Sequence, residues 1–178
     1  MSSVAANRYA TALIDALYPH KAELGLQQLQ SFASLLTEEP NGRRLLENPA
    51  MGGDRRNRLL KEISAALAFD RRVANFITIL ANRNRLPILE DIIIEYQRLL
   101  DKRLGIVRAR VTAAGTLDPT QQRALASTLQ ELTGQQVRME VTIDPSLIGG
   151  VVAQVGSTVY DGSVRQKLQA FKSRLVGE

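Results

Sequence analysis

The chain has 178 residues and a mass of 19.6 kDa, a size for one mid-sized domain or two small ones and not for a large multidomain enzyme. It contains no cysteine, which excludes disulfides, thiolate zinc sites, iron-sulfur clusters and a cysteine nucleophile, and its single histidine, His20, excludes a histidine metal cluster or relay. Hydrophobic residues at 44 % make the chain apolar enough to fold, and a net charge of +5, carried by 18 Arg against 5 Lys, brings nucleic acid or an anionic surface into consideration.

With aromatics at 4 % and no tryptophan, the core must be built from Leu, Ile, Val and Ala, a composition that suits packed helices. From Val4 to about Leu100 the apolar residues recur at helical spacing in segments separated by breakers. The first segment, Val4 to Tyr18, puts Ala6, Tyr9, Ala10, Leu13 and Leu17 on one stripe and stops before Pro19. The second carries Leu26, Leu29, Phe32, Ala33 and Leu36. A short helix around Arg43 to Glu47 is fenced by Pro40 and by the Asn48-Pro49 and Gly52-Gly53 breaks. Asp54 is then expected to cap a helix with Leu59, Ile63 and Leu67 inward, and Asp70 one with Val73, Phe76, Ile77 and Leu80 inward. Pro87 fits the first turn of a sixth helix carrying Ile88, Ile92, Tyr96 and Leu99.

After Gly105 the period changes to two, and Ile106 to Ala113 reads as a half-buried strand. Asp118-Pro119-Thr120-Gln121 supplies a cap, a first-turn proline and a capping-box glutamine for a helix with Leu125, Leu129 and Leu132 inward and Gly134 at its end. A second strand presents Val137, Met139, Val141 and Ile143 on one face. Val151 to Val155 and Thr158 to Tyr160 form a strand pair broken at Gly156-Ser157, and Ser163 with Gln166 opens a terminal helix with Val164, Leu168, Phe171 and Leu175. The expected architecture is a six-helix all-α bundle over 1–104 followed by a small α/β unit, a mixed sheet with helices, over 105–178. The two parts carry similar charge, 15 basic and 12 acidic residues up to position 104 and 8 and 6 afterwards, so neither is a basic tail.

Most constellations that carry chemistry are missing. Leu147-Ile148-Gly149-Gly150 lacks the ending of a phosphate loop, and its two glycines read as a bend with close backbone approach. Asp161-Gly162-Ser163 reads as a turn feeding a helix cap. The pairs Arg43-Arg44, Arg55-Arg56 and Arg71-Arg72 are the main support for nucleic acid, but they alternate with acids and no exposed aromatics accompany them, so they read as a solvated or protein-facing surface. Carboxylate pairs such as Glu38-Glu39 have no partner for acid/base work, and no nucleophile, base and orienter can be assembled. The strongest apolar window, Pro87 to Leu100, contains Glu90, Asp91, Glu95 and Arg98 and falls short of the ~18 apolar residues of a membrane span. The N-terminus has neither the pattern of a signal peptide nor that of a transit peptide, and a soluble protein that is not exported is expected.

Two helices exceed the apolar width that a core asks for. On the first, Ala5, Ala12 and Ala16 widen the stripe to about 160° where about 100° would serve, and on the fifth Ile79 flanks the Val73/Phe76/Leu80 stripe. Either both lie deep in the bundle, or they border a groove for a partner's amphipathic helix.

The string from Leu147 to Arg165, LIGGVVAQVGSTVYDGSVR, resembles the C-terminal motif of the F-type ATP synthase delta subunit family, whose mitochondrial counterpart is the oligomycin-sensitivity-conferring protein. Ala6 to Leu13 (ANRYATAL) is similar to the family's first helix, with Asn7-Arg8 where some members have Arg-Pro, and Asn75 to Leu80 with Arg85-Leu86 is similar to its fifth. The resemblance implies a non-catalytic peripheral-stalk subunit, present once per complex, that couples rotor torque to ATP synthesis. It implies no cofactor, no metal, no nucleic acid and no direct insertion into the membrane, and a place at the cytoplasmic face of the inner membrane. The helical bundle would hold the N-terminal helix of an alpha subunit of the catalytic head between helices one and five, with Tyr9, Ala12, Leu13, Ala16, Phe76 and Ile79 in or beside that site. The C-terminal unit would meet the b-type stalk subunits, and Gly149, Gly150, Asp161, Gly162, Ser163 and Arg165 match its motif as shapers of the fold. A basic nucleic-acid-binding module is the alternative that net charge alone supports.

Overall fold

The structure, a computed structural model, describes residues 4–164 and 166. The chain divides into two compact units, Met1–Leu100 and Asp101–Glu178.

In the first unit, helices α1 (Val4–Leu17), α2 (Ala22–Glu38), α3 (Pro40–Glu47), α4 (Gly53–Ala66), α5 (Arg71–Asn82) and α6 (Leu89–Leu104) follow one another through short connections, with α6 running on into the second unit. Their apolar stripes meet in one core containing Ile14, Leu17, Leu29, Phe32, Leu60, Ile77, Leu80, Ile92 and Tyr96, all essentially inaccessible to water. Tyr96 can be buried because its hydroxyl donates to the Ala22 carbonyl at 2.9 Å. Gly25 leaves room there, since a Cβ at that position would lie 2.3 Å from Leu17 Cδ1 and 3.0 Å from the Tyr96 hydroxyl.

Four expectations in this unit need correction. Pro40 does not fence α3 but opens it as its first residue, where the missing N–H costs nothing. Asp54 does not cap α4: the helix starts at Gly53 with Gly52 as N-cap, and Asp54 lies in the first turn, where its charge still favours the positive end of the helix dipole. The inward row of α4 is Arg56, Leu60 and Ser64, with Leu59 and Ile63 half-buried beside it and Leu67 exposed. Pro87 belongs to a separate 3-10 turn, Leu86–Ile88, ahead of α6.

The second unit begins within the last turn of α6, and Asp101 there receives a two-pronged ion pair from the Arg108 guanidinium, which also reaches Glu140 at 3.2 Å. Strands β1 (Ile106–Ala113), β2 (Gln136–Ile143), β3 (Val151–Val155) and β4 (Thr158–Asp161) form a sheet in the order β2-β1-β3-β4. β1 and β2 are parallel, from Ile106 opposite Gln136 to Ala113 opposite Ile143, so the chain needs a crossover, which α7 (Pro119–Thr133) provides. β3 pairs antiparallel with both β1 and β4, and the β3–β4 loop is Gly156-Ser157 with Gly156 at φ +59°. α7 has the expected capping box, Asp118 accepting from the N–H groups of Thr120 and Gln121, and ends on left-handed Gly134. Its Leu129 packs with Ala109, Val111, Ala113, Ala153 and Val155 into a small core, but Leu132 in its last turn is 58 % exposed. Val141 and Ile143 are exposed as well, so only Val137 and Met139 of the β2 face pack inward. Val164 and Gln166 are helical and the Gln166 N–H lies on Ser163 Oγ at 3.3 Å; the rest of the expected last helix, with Arg165, Leu168, Phe171 and Leu175, lies outside the described residues.

Candidate functional site

The extra apolar width of the first and fifth helices is not consumed by the core. On α1 the buried residues are Ala6, Ala10, Leu13, Ile14 and Leu17, while Ala12 and Ala16 are exposed and Ala5 and Tyr9 half-buried. On α5 the buried set is Val73, Phe76, Ile77, Leu80 and Ala81, and Ile79 is 49 % exposed. The seam between the two helices is the candidate furrow. Across it Tyr9 and Phe76 meet edge to face, with ring centroids 6.2 Å apart and planes at 74°. Leu13, 3 % exposed, lies in the core behind it, while Ala12, Ala16 and Ile79 offer small or flexible apolar groups to solvent.

The helices run antiparallel, because Ala16 near the end of α1 meets Arg72 at the start of α5 while Ala5 and Arg8 near the start of α1 meet Arg83 and Arg85 after Ile79. At the first end a polar clamp holds them. The Arg72 guanidinium donates to the Ala16 carbonyl, one of the carbonyls that a helix end leaves without a partner. The Arg72 N–H donates to Asp70 Oδ1 at 2.8 Å, and Lys21 Nζ donates to Asp70 Oδ2 at 2.7 Å. Gln28 accepts from the Asp70 N–H at 2.9 Å, so the cap of α5 is tied to α2 as well. The Lys21 hydrogen bond, followed by that of the Arg72 N–H, holds the Asp70 carboxyl below the ordinary aspartate range. At the opposite end Asn7 Nδ2 donates to the buried Glu95 of α6, fixing α1 from behind. A helix pair anchored in this way presents a preformed surface.

Beyond Ala12 the furrow opens into a cavity of about 340 Å³ lined by Ala5, Arg8, Tyr9, Ala12, Arg83 and Arg85. The three arginines were not singled out as a group by sequence, although the signal is there. Arg8 is one helical turn from Ala12 and Arg83 one turn from Ile79, so both apolar rows end in arginine on the same edge. The arginine pairs that were singled out behave differently from one another. Arg44, Arg55 and Arg71 are exposed as expected, but Arg56 is 5 % exposed and donates to the carbonyls of Ala81, Asn48 and Met51, locking the α3–α4 connection onto the end of α5.

In the C-terminal motif Gly150 and Gly162 lie against backbone, and Gly149 against the Val164 side chain. Gly150 has φ +85°, and a Cβ there would lie 2.4 Å from the Gly162 carbonyl oxygen. The Gly162 N–H donates to the Val151 carbonyl at 2.9 Å and the Val164 N–H to the Gly149 carbonyl at 3.0 Å, pinning the segment after β4 to the start of β3. Asp161 Oδ1 accepts from the Ser163 N–H at 2.8 Å, and hydrogen bonding from Ser163 holds the Asp161 carboxyl below its ordinary range. Among the described residues no cluster of His, Asp or Glu could hold a metal ion, and no helix is long and apolar enough to cross a membrane.

A profile of the family described as ATP synthase delta (OSCP) subunit matches residues 5–175. Proteins called ATP synthase subunit delta are similar along nearly their whole length: 38 % identical over 176 residues in Anaeromyxobacter dehalogenans, covering 98 % of both chains, and 39 % over 183 residues in Chlorobium phaeovibrioides, covering 99 % of this chain and 98 % of that one. The protein of that name from Myxococcus xanthus is 38 % identical over 173 residues. The fold is shared with a chain of the cryo-EM structure of the Toxoplasma gondii mitochondrial ATP synthase hexamer, with a TM-score of 0.64 over 98 % of each chain at 24 % identity.

Proposed function

Because the chain belongs to the ATP synthase delta (OSCP) subunit family, a non-catalytic stator component linking the F1 head to the peripheral stalk, we propose that the α1–α5 furrow is its grip on the head and that the unit from Asp101 onward is its grip on the stalk. In this reading the furrow holds the amphipathic N-terminal helix of an alpha subunit, and the second unit receives the end of the b-type stalk subunits. One copy, at the cytoplasmic face of the inner membrane, then stops the head from turning with the rotor, so that torque is spent on ATP synthesis.

The observation that carries the head-binding assignment is the apolar surface left uncovered between two anchored helices. Ala12 and Ala16 have no bulk beyond Cβ, so a foreign helix can approach the α1 backbone closely, and Ile79 supplies apolar area to bury against it. Burying such a face stabilises a complex by roughly 25 cal/mol per Å² before the costs of association. The half-buried Tyr9 gives the site an aromatic anchor of the kind that dominates binding energies. The excess of arginine over acid acts in this reading on the rate of encounter with acidic surfaces of the complex.

Titration calorimetry of the full chain with a peptide of the same synthase's alpha-subunit N-terminus tests the assignment. Binding with a negative heat-capacity change and shallow salt dependence is expected. Ile79→Asp should weaken it at least tenfold while the circular dichroism and melting temperature stay close to wild type, because the side chain faces solvent in the free protein. Unchanged affinity in that variant would remove the furrow from the account.

A further inference from the structure

The furrow is not the same at its two ends. At the Ala16 end the charged groups are already used: Arg72 is on the Ala16 carbonyl, and Lys21 is on Asp70. At the Ala5 end, the exposed Arg8, Arg83 and Arg85 line a cavity of about 340 Å³ that no acidic residue lines, and among the described residues none of the three guanidinium groups has a hydrogen-bonding or ion-pair partner. Three cations gathered without a counter-charge repel one another, and a fold that keeps them together gains when an anion arrives.

We propose that this cavity is a carboxylate pocket, in which Arg8, Arg83 and Arg85 take an Asp or Glu side chain of the helix docked in the furrow and so fix its direction and register. The proposal rests on the furrow being the head-binding site. A carboxylate matches the planar fork of a guanidinium, and two or three forks from separate backbone positions can close around its two oxygens. The cavity is continuous with the apolar strip through Tyr9 and Ala12, which line both. An anion held there is therefore best delivered by the same segment that covers the strip. A helix laid along the furrow in one direction puts an acidic side chain near one of its ends over the three arginines. Laid in the other direction, it offers that end a clamp whose donors are already satisfied. Apolar packing between two antiparallel helices and a third is tolerant of reversal and of sliding by a turn, whereas one seated carboxylate is not.

The test uses the full chain, its Arg8→Gln, Arg83→Gln and Arg85→Gln variants, and the alpha-subunit N-terminal peptide together with peptides in which each Asp or Glu in turn is changed to its amide. One acidic position of the peptide should prove coupled to the pocket. Its amide variant should bind wild type about three- to tenfold more weakly, the range for an Arg–carboxylate pair at a partly exposed site, and should lose little more when combined with an arginine variant. The native peptide should lose a similar factor on Arg83→Gln or Arg85→Gln, and the difference should shrink at high salt. Arginine variants that bind the native peptide as wild type does, while Ile79→Asp does not, overturn the pocket and leave the furrow standing. Inorganic phosphate that binds wild type and not the arginine variants, with no peptide carboxylate coupled to them, shows a free-anion site and likewise overturns it. A native peptide that fails to bind wild type overturns the furrow reading and the pocket together.

Discussion

Gly150 shows how one missing Cβ can organise a motif. Its φ of +85° is one that L residues rarely adopt, and the backbone carbonyl of Gly162 occupies the place where a Cβ would be. Unlike the contact at Gly25, where the nearest atom is the end of a leucine side chain, this obstacle cannot rotate away. Gly150→Ala should therefore destabilise the second unit by about 2–4 kcal/mol, the sum of strained backbone and a forced shift of the β4-to-helix connection. Gly115→Ala, with nothing within 4 Å of its Cβ and an ordinary φ, should be close to neutral. Urea unfolding of both variants checks this, and a Gly150→Ala midpoint equal to that of Gly115→Ala would show that the backbone there yields easily. The close approach at Gly149-Gly150 was legible in the sequence because paired glycines before a strand signal it. What it approaches was not, since Gly162 lies twelve residues on and only tertiary structure joins them. Arg56 was illegible for the opposite reason: an arginine beside another arginine in a polar helix gives no sign that three backbone carbonyls await it in the interior.

Elements were read most reliably where a periodicity and a cap agreed. α5 and α7 have both, and Asp70 and Asp118 cap them in the structure as expected. β1 runs over Ile106–Ala113, the span its alternation predicts. α4 was misjudged because two glycines precede its first acid, and the helix starts on the second glycine before reaching Asp54. Leu67 and Leu132 follow their stripes in spacing but lie at the C-terminal ends of α4 and α7, where both are exposed, so burial there is not set by period alone. The Asp70 cap gives a prediction at this scale. Its carboxyl is lowered from the ordinary 3.8 first by Lys21 and then by the Arg72 N–H, so the charged form is favoured by folding. Stability from this group is then fully present above the unfolded-state value and is lost as pH falls through the lower folded-state value. Asp70→Ala should cost about 1 kcal/mol at neutral pH, typical of an N-cap, with a gap from wild type that narrows below about pH 4. Denaturant midpoints at pH 7, 4 and 3 read this directly, and a gap that stayed constant with pH would show that the carboxylate charge is not what stabilises the cap.

At the scale of the molecule, the proposed division of labour rests on the two units having separate cores. Each can present a rigid surface without depending on the other's packing, and a stator needs two such surfaces. The two-part architecture was legible because the hydrophobic period switches from helical to alternating after Gly105. The compact units divide between Leu100 and Asp101, within the last turns of α6, where the Arg108 ion pair ties Asp101 to β1. The candidate head site was half legible: excess apolar width on two helices can be counted in the sequence, but their antiparallel adjacency, the polar clamp at one end and the arginine-lined cavity at the other appear only when the chain is folded. In the proposed reading this chain joins the head to the stalk. Sedimentation velocity on a mixture of the catalytic head stripped of this subunit, the soluble segment of the b-type stalk and the full chain tests it most directly. A single species holding head, stalk and one copy of the chain, absent when the chain is left out, is the predicted result; a chain that joins either partner alone and never brings both into one species would contradict it.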